Sequence, residues 1–276
     1  MSLAIPTAER RAEALERALG EVRASRPAAT RVLQLADDPS TDGQQLAEAI
    51  EADPMMMAQV LRLANSAAFG MSHQVSSTQH AVSVIGFDAV RSVAALVAAG
   101  LRNSRHAVPS GFWRHSAGTA AACSVLSGRF GLSRGEAFSL GLLHDIGVAI
   151  LQSVDPGPYA SLRTSDLDTR AQCGLELAEF GMSHAEAAAQ VLASWNFPVN
   201  FVTAIACHHD LDLGITPHER LLLAGEVLAA LAEEPEAITS CDPSRLEALG
   251  LSAQVLPAMV ALTLDYRSEV LATLLG

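Results

Sequence analysis

Lysine is absent from this 276-residue chain; all eighteen basic residues are arginine. A mechanism that needs a lysine general acid or a lysine phosphate clamp is therefore excluded. Aromatic residues are scarce, at 4%, while alanine and leucine dominate. That balance favours helices, because Ala and Leu lead the helix scale whereas aromatic and β-branched residues favour strands. The four cysteines (Cys123, Cys173, Cys207 and Cys241) lie far apart with no CxxC pair. They read as reduced, mostly buried thiols of a cytoplasmic protein. Cys207, beside His208, is read as a core cysteine, with metal ligation as the alternative.

Long uncharged apolar runs are lacking as well. No segment offers the roughly 20 such residues that a membrane span needs. The stretch from Val90 to Leu101 is interrupted by Arg91 and reads as a buried helix. The first residues, rich in Glu and Arg, lack the apolar core of a signal peptide. Basic clusters are missing too, and the net charge is −12, so a phosphate backbone would be repelled. Neither nucleic acid nor membrane is an expected partner.

What the chain does contain is a 50% hydrophobic composition, enough for a sizeable core, and a series of helix-start signals. A capping box lets a Ser or Thr side chain and an acid or amide three residues on satisfy orphan backbone N–H groups. Thr41/Gln44, Ser76/Gln79, Ser133/Glu136, Ser183/Glu186 and Thr216/Glu219 have that spacing. Asp53-Pro54 adds a cap followed by proline in the first helical turn. The spacing predicts an all-α protein of roughly thirteen helices. We divide it into an N-terminal block of short helices (1–104), a helical block carrying the site (105–232), and a helical extension (233–276). The polar stretch from Asn103 to Gly111 reads as a linker. A helix over Ser252 to Leu274 is expected either to pack on the domain or to pair with another chain.

The chemistry concentrates in Gly141-Leu-Leu-His144-Asp145-Ile-Gly147. A buried charge is costly unless paired or bound to a metal, and here a histidine and an aspartate adjoin in an apolar run read as mid-helix. His115, His184 and the doublet His208-His209 fall in other predicted helices or at their ends. Imidazole and carboxylate suit Zn, Fe, Mn and similar ions, and several helices of a bundle can aim ligands at one site. Adjacent helical residues diverge by about 100°. The doublet is therefore expected to serve two neighbouring ions, with Asp145 bridging them, the usual device of phosphoester hydrolysis. His73, His80, His106 and His218 fit no pattern and read as surface or loop residues. Asn65-Ser66 and Phe69-Gly70 read as a helix C-cap and turn.

The H…HD…H…HH order resembles the HD superfamily of metal-dependent phosphohydrolases, in particular its HD-GYP branch. Arg31-Val-Leu-Gln-Leu, Asp53-Pro54, Leu61-Arg-Leu-Ala-Asn65-Ser66, the turn from Ser76 to Ala81 and Ile85-Gly86 narrow the likeness to the HDOD family. So do Trp113-Arg-His115-Ser, Phe180-Gly-Met-Ser-His184-Ala-Glu186 and Trp195-Asn-Phe-Pro198. The resemblance spans about residues 18–232. It implies an HD-superfamily bundle acting as a non-catalytic signal-transduction module, with a protein partner in trans. It also implies a retained site for a pair of divalent ions (Fe, Mn, Zn or Mg) on His115, His144, Asp145, His184, His208 and His209. The alternative it implies is a di-metal phosphohydrolase acting on nucleotides or cyclic dinucleotides, with Asp145 essential and Arg114 compensating for a missing lysine. Three features depart from the catalytic relatives: Val148 stands where they commonly carry lysine, Glu226 stands at the final aspartate position, and the GYP segment is absent.

Overall fold

The computed structural model describes residues 7–24, 27–70, 74–101, 108–163, 169–210, 216–234 and 243–275. His73, His106, Cys241 and most of the expected linker lie outside them. Every regular element among the described residues is helical, in fifteen α-helices rather than thirteen, with short 3₁₀ turns at Ala67–Phe69 and Ser127–Arg129. The first five helices are α1 (Thr7–Ala24), α2 (Pro27–Asp37), α3 (Gly43–Glu51), α4 (Pro54–Ala64) and α5 (Thr78–Ala98). The next five are α6 (Phe112–Leu126), α7 (Arg134–Leu143), α8 (Ile146–Val154), α9 (Pro156–Leu162) and α10 (Thr169–Phe180). The last five are α11 (His184–Ser194), α12 (Val199–Ala206), α13 (Pro217–Glu233), α14 (Pro243–Ala248) and α15 (Leu256–Leu275).

The caps set these boundaries. Ser183 with Glu186 and Thr216 with Glu219 form full capping boxes, Ser133 accepts from the Glu136 N–H, and Asp53 precedes Pro54 as expected. Two starts lie one residue later than the sequence pattern suggested. α3 is capped by Asp42 with Gln45, and α5 by Ser77. Asp caps at least as well as Thr, and the later start turns Leu46, Ala47 and Ile50 inward. Asn65 closes α4 and clasps the following loop through hydrogen bonds to both backbone groups of Val75, the structural role expected of it.

α5 organises the first half. It packs against α2, α3 and α4 on one side and α7 on the other. It bends at Gly86, whose φ of 79° is costly for residues with a Cβ. Beyond the bend, Ala89 through Ala98 are all buried. α6 is the centre of the second half, flanked by α7, α13 and α15. The C-terminal helix therefore packs on the domain, also touching α4. α1 lies against α8, α10 and α11, where Arg11 pairs with Asp155 and Glu179. Two stretches, Thr78–Ala98 and Arg134–Val154, are apolar and long enough to span a membrane, though each carries charged residues. Most of their residues are packed inside the bundle, and the second is broken at His144-Asp145.

Arg91 explains how a charge survives in the most apolar run. Its guanidinium bonds Asp37 at 2.8 Å and the Asn196 carbonyl at 2.9 Å, and lies over the Phe197 ring. It thereby ties α2 and α5 to the turn joining α11 and α12. Replacing Arg91 with Met, which keeps the apolar stem, is expected to cost about 2 kcal/mol. Urea unfolding should record this as a lowered midpoint at unchanged slope.

Candidate metal centre

Five helices or helix ends converge on Asp145. α6 contributes His115 from its first turn, α11 contributes His184 as its first residue, and α13 contributes Glu226. His144 and Asp145 are not mid-helix. They form the break between α7 and α8, where Asp145 adopts φ −101° and ψ 14°. The break turns both side chains to one place, which a continuous helix would not do. α12 ends at Ala206, so His208 and His209 also occupy a turn. The two rings lie 3.8 Å apart, and Asp145, His184, His208 and His209 form one group of convergent ligand atoms. The expected divergence of the doublet on a helix is corrected accordingly, since it does not apply in a turn; His208 also converges with His144 and Glu226.

Asp145 Oδ1 lies 3.4, 3.5 and 3.6 Å from Nε2 of His184, His208 and His144, and Oδ2 lies 3.5 Å from Nε2 of His115. Glu226 Oε1 is 3.7 Å from His144 Nε2. Nε2 atoms also face each other, at 2.9 Å between His115 and His144 and 2.8 Å between His184 and His209. His144, Asp145, His184 and His208 are buried, His209 and Glu226 half-buried, and His115 exposed.

The outer ring nitrogens decide what the inner ones can do. His144 Nδ1 is 2.8 Å from the Gly141 carbonyl and His208 Nδ1 is 2.6 Å from the Ile205 carbonyl. A carbonyl only accepts, so each Nδ1 carries a proton. The neutral ring then presents an Nε2 lone pair toward Asp145. His208 Nε2 and Asp145 Oδ1 are buried without any hydrogen-bond partner. Lone pairs converging on a carboxylate repel unless a cation lies among them. A donor set of imidazoles and one carboxylate, with His208 Nε2 and Asp145 Oδ1 orphaned inside and the Nδ1 atoms of His144 and His208 fixed outside, fits a divalent ion.

The electrostatics agree at His144 and His209. Burial, only partly opposed by Asp145, pushes His144 down to about 3. Burial and the imidazoles of His208 and His184 push His209 down to about 2. Burial opposes ionisation of Asp145, but His144, His184 and His208 hold it well below the carboxylate range. Burial likewise opposes charge on His184, yet the neighbouring Asp145, Cys173 and Glu176 hold it well above the ordinary value, so with no ion bound His184 is itself the cation beside Asp145. Burial raises Glu226. In metal-free protein the ¹⁵N shifts of His144 and His209 should therefore stay those of neutral rings from pH 7 to pH 5, across the ordinary histidine value of about 6.5. A titration of either ring in that window would contradict this geometry.

The cluster opens into a cleft of about 650 Å³, lined also by Ser110, Gln152, Arg163 and Gln172. Arg114 does not reach it, because its guanidinium pairs with Glu233; Arg163 is the cation that lines the cleft among the described residues. Val148 is buried. His218 is no surface residue: it is buried and bonded to Glu136 at 2.9 Å. Cys207 donates to the Thr203 carbonyl and is absent from the convergent groups. The pattern reading missed Tyr159, Gln172, Cys173 and Glu176, which stand behind His184. Glu176 sits eight residues before His184, a spacing that is no motif, so only the fold reveals it.

The HDOD domain family profile matches residues 25–211. Among solved structures, a protein of Shewanella amazonensis SB2B provisionally named a phosphohydrolase is 23% identical. The alignment covers 96% of this chain and 99% of that one, with a TM-score of 0.71. A protein of Marinobacter aquaeolei VT8 provisionally named for signal transduction is 24% identical over 98% of this chain and 66% of that one, at a TM-score of 0.67. A second Shewanella amazonensis SB2B protein, provisionally named a metal-dependent phosphohydrolase, is 21% identical over 96% and 99%, at 0.64. These likenesses establish the helical fold. No curated protein matches the sequence.

Proposed function

This chain belongs to the HDOD family, and on that premise we propose that it is a cytoplasmic signal-transduction module that holds divalent metal without turning over a substrate. The ligands are His115, His144, Asp145, His184, His208 and His209, with Glu226 at the rim. The observation that carries the reading is the orphaned pair at the centre, His208 Nε2 and Asp145 Oδ1. Their neighbours' lone pairs need a cation to face. A bound divalent ion supplies Lewis acidity for gripping phosphoryl oxygens. Around it the chain's own groups hold a ligand: Arg163 offers a charge to an anion at the cleft wall, and Gln152 and Gln172 offer polar contacts. Ligand or partner state would reach the N-terminal helices through Arg91, which binds the turn between α11, headed by His184, and α12, which leads into His208. The non-catalytic role is supported by Val148, buried and apolar where the catalytic relatives it resembles carry a substrate-orienting lysine.

The second reading is a metal-dependent phosphohydrolase acting on nucleotides or cyclic dinucleotides. It is favoured by the openness of the cleft: a pure scaffold has no need of a 650 Å³ space over its ligand set. One experiment separates the two. The protein is purified without chelators, its metal measured by elemental analysis, and hydrolysis of bis(p-nitrophenyl) phosphate and cyclic dinucleotides followed with Mn²⁺ or Fe²⁺. Stoichiometric metal without turnover supports the module. Turnover that vanishes in Asp145→Asn establishes the enzyme. A protein that takes up no metal overturns both.

A further inference from the structure

The buried acid behind His184 has a task of its own. Glu176, on α10, is fully buried, and an isolated buried carboxylate is expensive. All of its bonds converge on one purpose. Oε2 accepts from His184 Nδ1 at 2.6 Å and from the His184 backbone N–H at 2.8 Å. Oε1 accepts from the Tyr159 hydroxyl at 2.8 Å and from Gln172 Nε2 at 3.3 Å. Burial works against its ionisation, but these bonds hold Glu176 below the ordinary carboxylate range. The neighbouring histidines rest Nδ1 on neutral carbonyls, of Gly141 and Ile205. His184 alone among these three buried rings rests it on a carboxylate.

We infer that Glu176 is a positioning residue that locks the Nδ1 proton of His184, so that Nε2 faces the Asp145–His209 cluster as a strengthened metal ligand, with Tyr159 and Gln172 fixing the acid in turn. The inference rests on the metal reading of the cluster and adds what governs it. A carboxylate behind a ligating imidazole orients the ring and raises its basicity. The same atom also bonds the first N–H of α11, so the start of the helix and the ring are held together.

The test compares wild type, Glu176→Gln and Tyr159→Phe as full-length chains, using Co²⁺ titrated in competition with a chromophoric chelator. Glu176→Gln should lose about 10–100-fold in Co²⁺ affinity, and Tyr159→Phe a smaller factor in the same direction. Circular dichroism confirms that the helices are retained; should Glu176→Gln not fold, Tyr159→Phe decides alone. Equal affinity in wild type and variants would overturn the inference. So would a thiolate-to-cobalt absorption band lost in Cys173→Ser, because Cys173, Glu176 and His184 also converge and such a band would put the ion on the outer side of the ring. A second readout needs no metal. Wild type should show a downfield, exchange-protected His184 Nδ1 proton that Glu176→Gln loses. If no Co²⁺ binds but this resonance behaves as stated, the metal reading fails while the clamp on His184 stands; if the resonance is absent from wild type, the clamp fails.

Discussion

Asp145→Asn is expected to lower divalent-metal affinity about 1000-fold. A unit charge about 4 Å from its partner contributes roughly 4 kcal/mol at the effective dielectric of a protein site, and each 1.4 kcal/mol is tenfold in affinity. Asn keeps the size and removes the charge. It also places an amide N–H₂ among Nε2 lone pairs, offering a donor where an ion would have been. Asp145 is singular because it touches every arm of the cluster, with Oδ1 facing His144, His184 and His208 and Oδ2 facing His115. Glu226 converges with His144 and His208. Elemental analysis after gel filtration and a competition titration would measure the loss. A variant that retains stoichiometric metal would mean the ion binds elsewhere. Stability also moves with pH through this group. Its folded value lies well below the ordinary one, so the contribution is present above about pH 4 and is lost as pH falls through the depressed value.

The residues of the cluster were legible in the sequence because their chemistry is rare in an apolar chain. Histidines at 115, 144, 184, 208 and 209, with Asp145, stood out against alanine and leucine, and the caps located most helix starts around them. What stayed hidden was geometry that depends on where helices stop. Gly141 to Gly147 carries no proline or charge run to signal a break, so His144-Asp145 read as mid-helix, and the doublet was assigned helical divergence that a turn does not impose. The supporting groups were invisible for another reason. Glu176 reaches His184 only because α10 packs beside α11, and Tyr159 reaches Glu176 only because α9 packs on α10, tertiary facts with no local period. Arg114 failed as a cleft cation for the same cause: Glu233, more than a hundred residues away, claims its guanidinium. Asp42 displaced Thr41 as a cap because both residues suit the position and burial of α3 chose between them.

Gly147→Ala is the substitution expected to cost most in stability among single methyl additions. A Cβ built at Gly147 would lie 1.9 Å from the His184 carbonyl oxygen, 2.8 Å from its carbon and 2.9 Å from the Ala188 nitrogen. All three are backbone atoms, so no side chain can swing aside; α8 and α11 would have to separate. Overpacking of this kind costs about 3 kcal/mol or more, a large share of a typical total of about 5–15 kcal/mol. Gly157→Ala is the control, because nothing lies within 4 Å of its Cβ; there the change should be neutral or stabilising by up to about 1 kcal/mol. Urea unfolding should separate the two, and a Gly147→Ala midpoint equal to wild type would refute the close approach. The consequence extends to the metal. Asp145 immediately precedes α8 and His184 begins α11, so the missing side chain at 147 sets the distance between those two candidate ligands. Any Gly147→Ala protein that still folds should bind Co²⁺ more weakly than wild type, since the 3.4 Å spacing of Asp145 and His184 depends on the helices touching backbone to backbone.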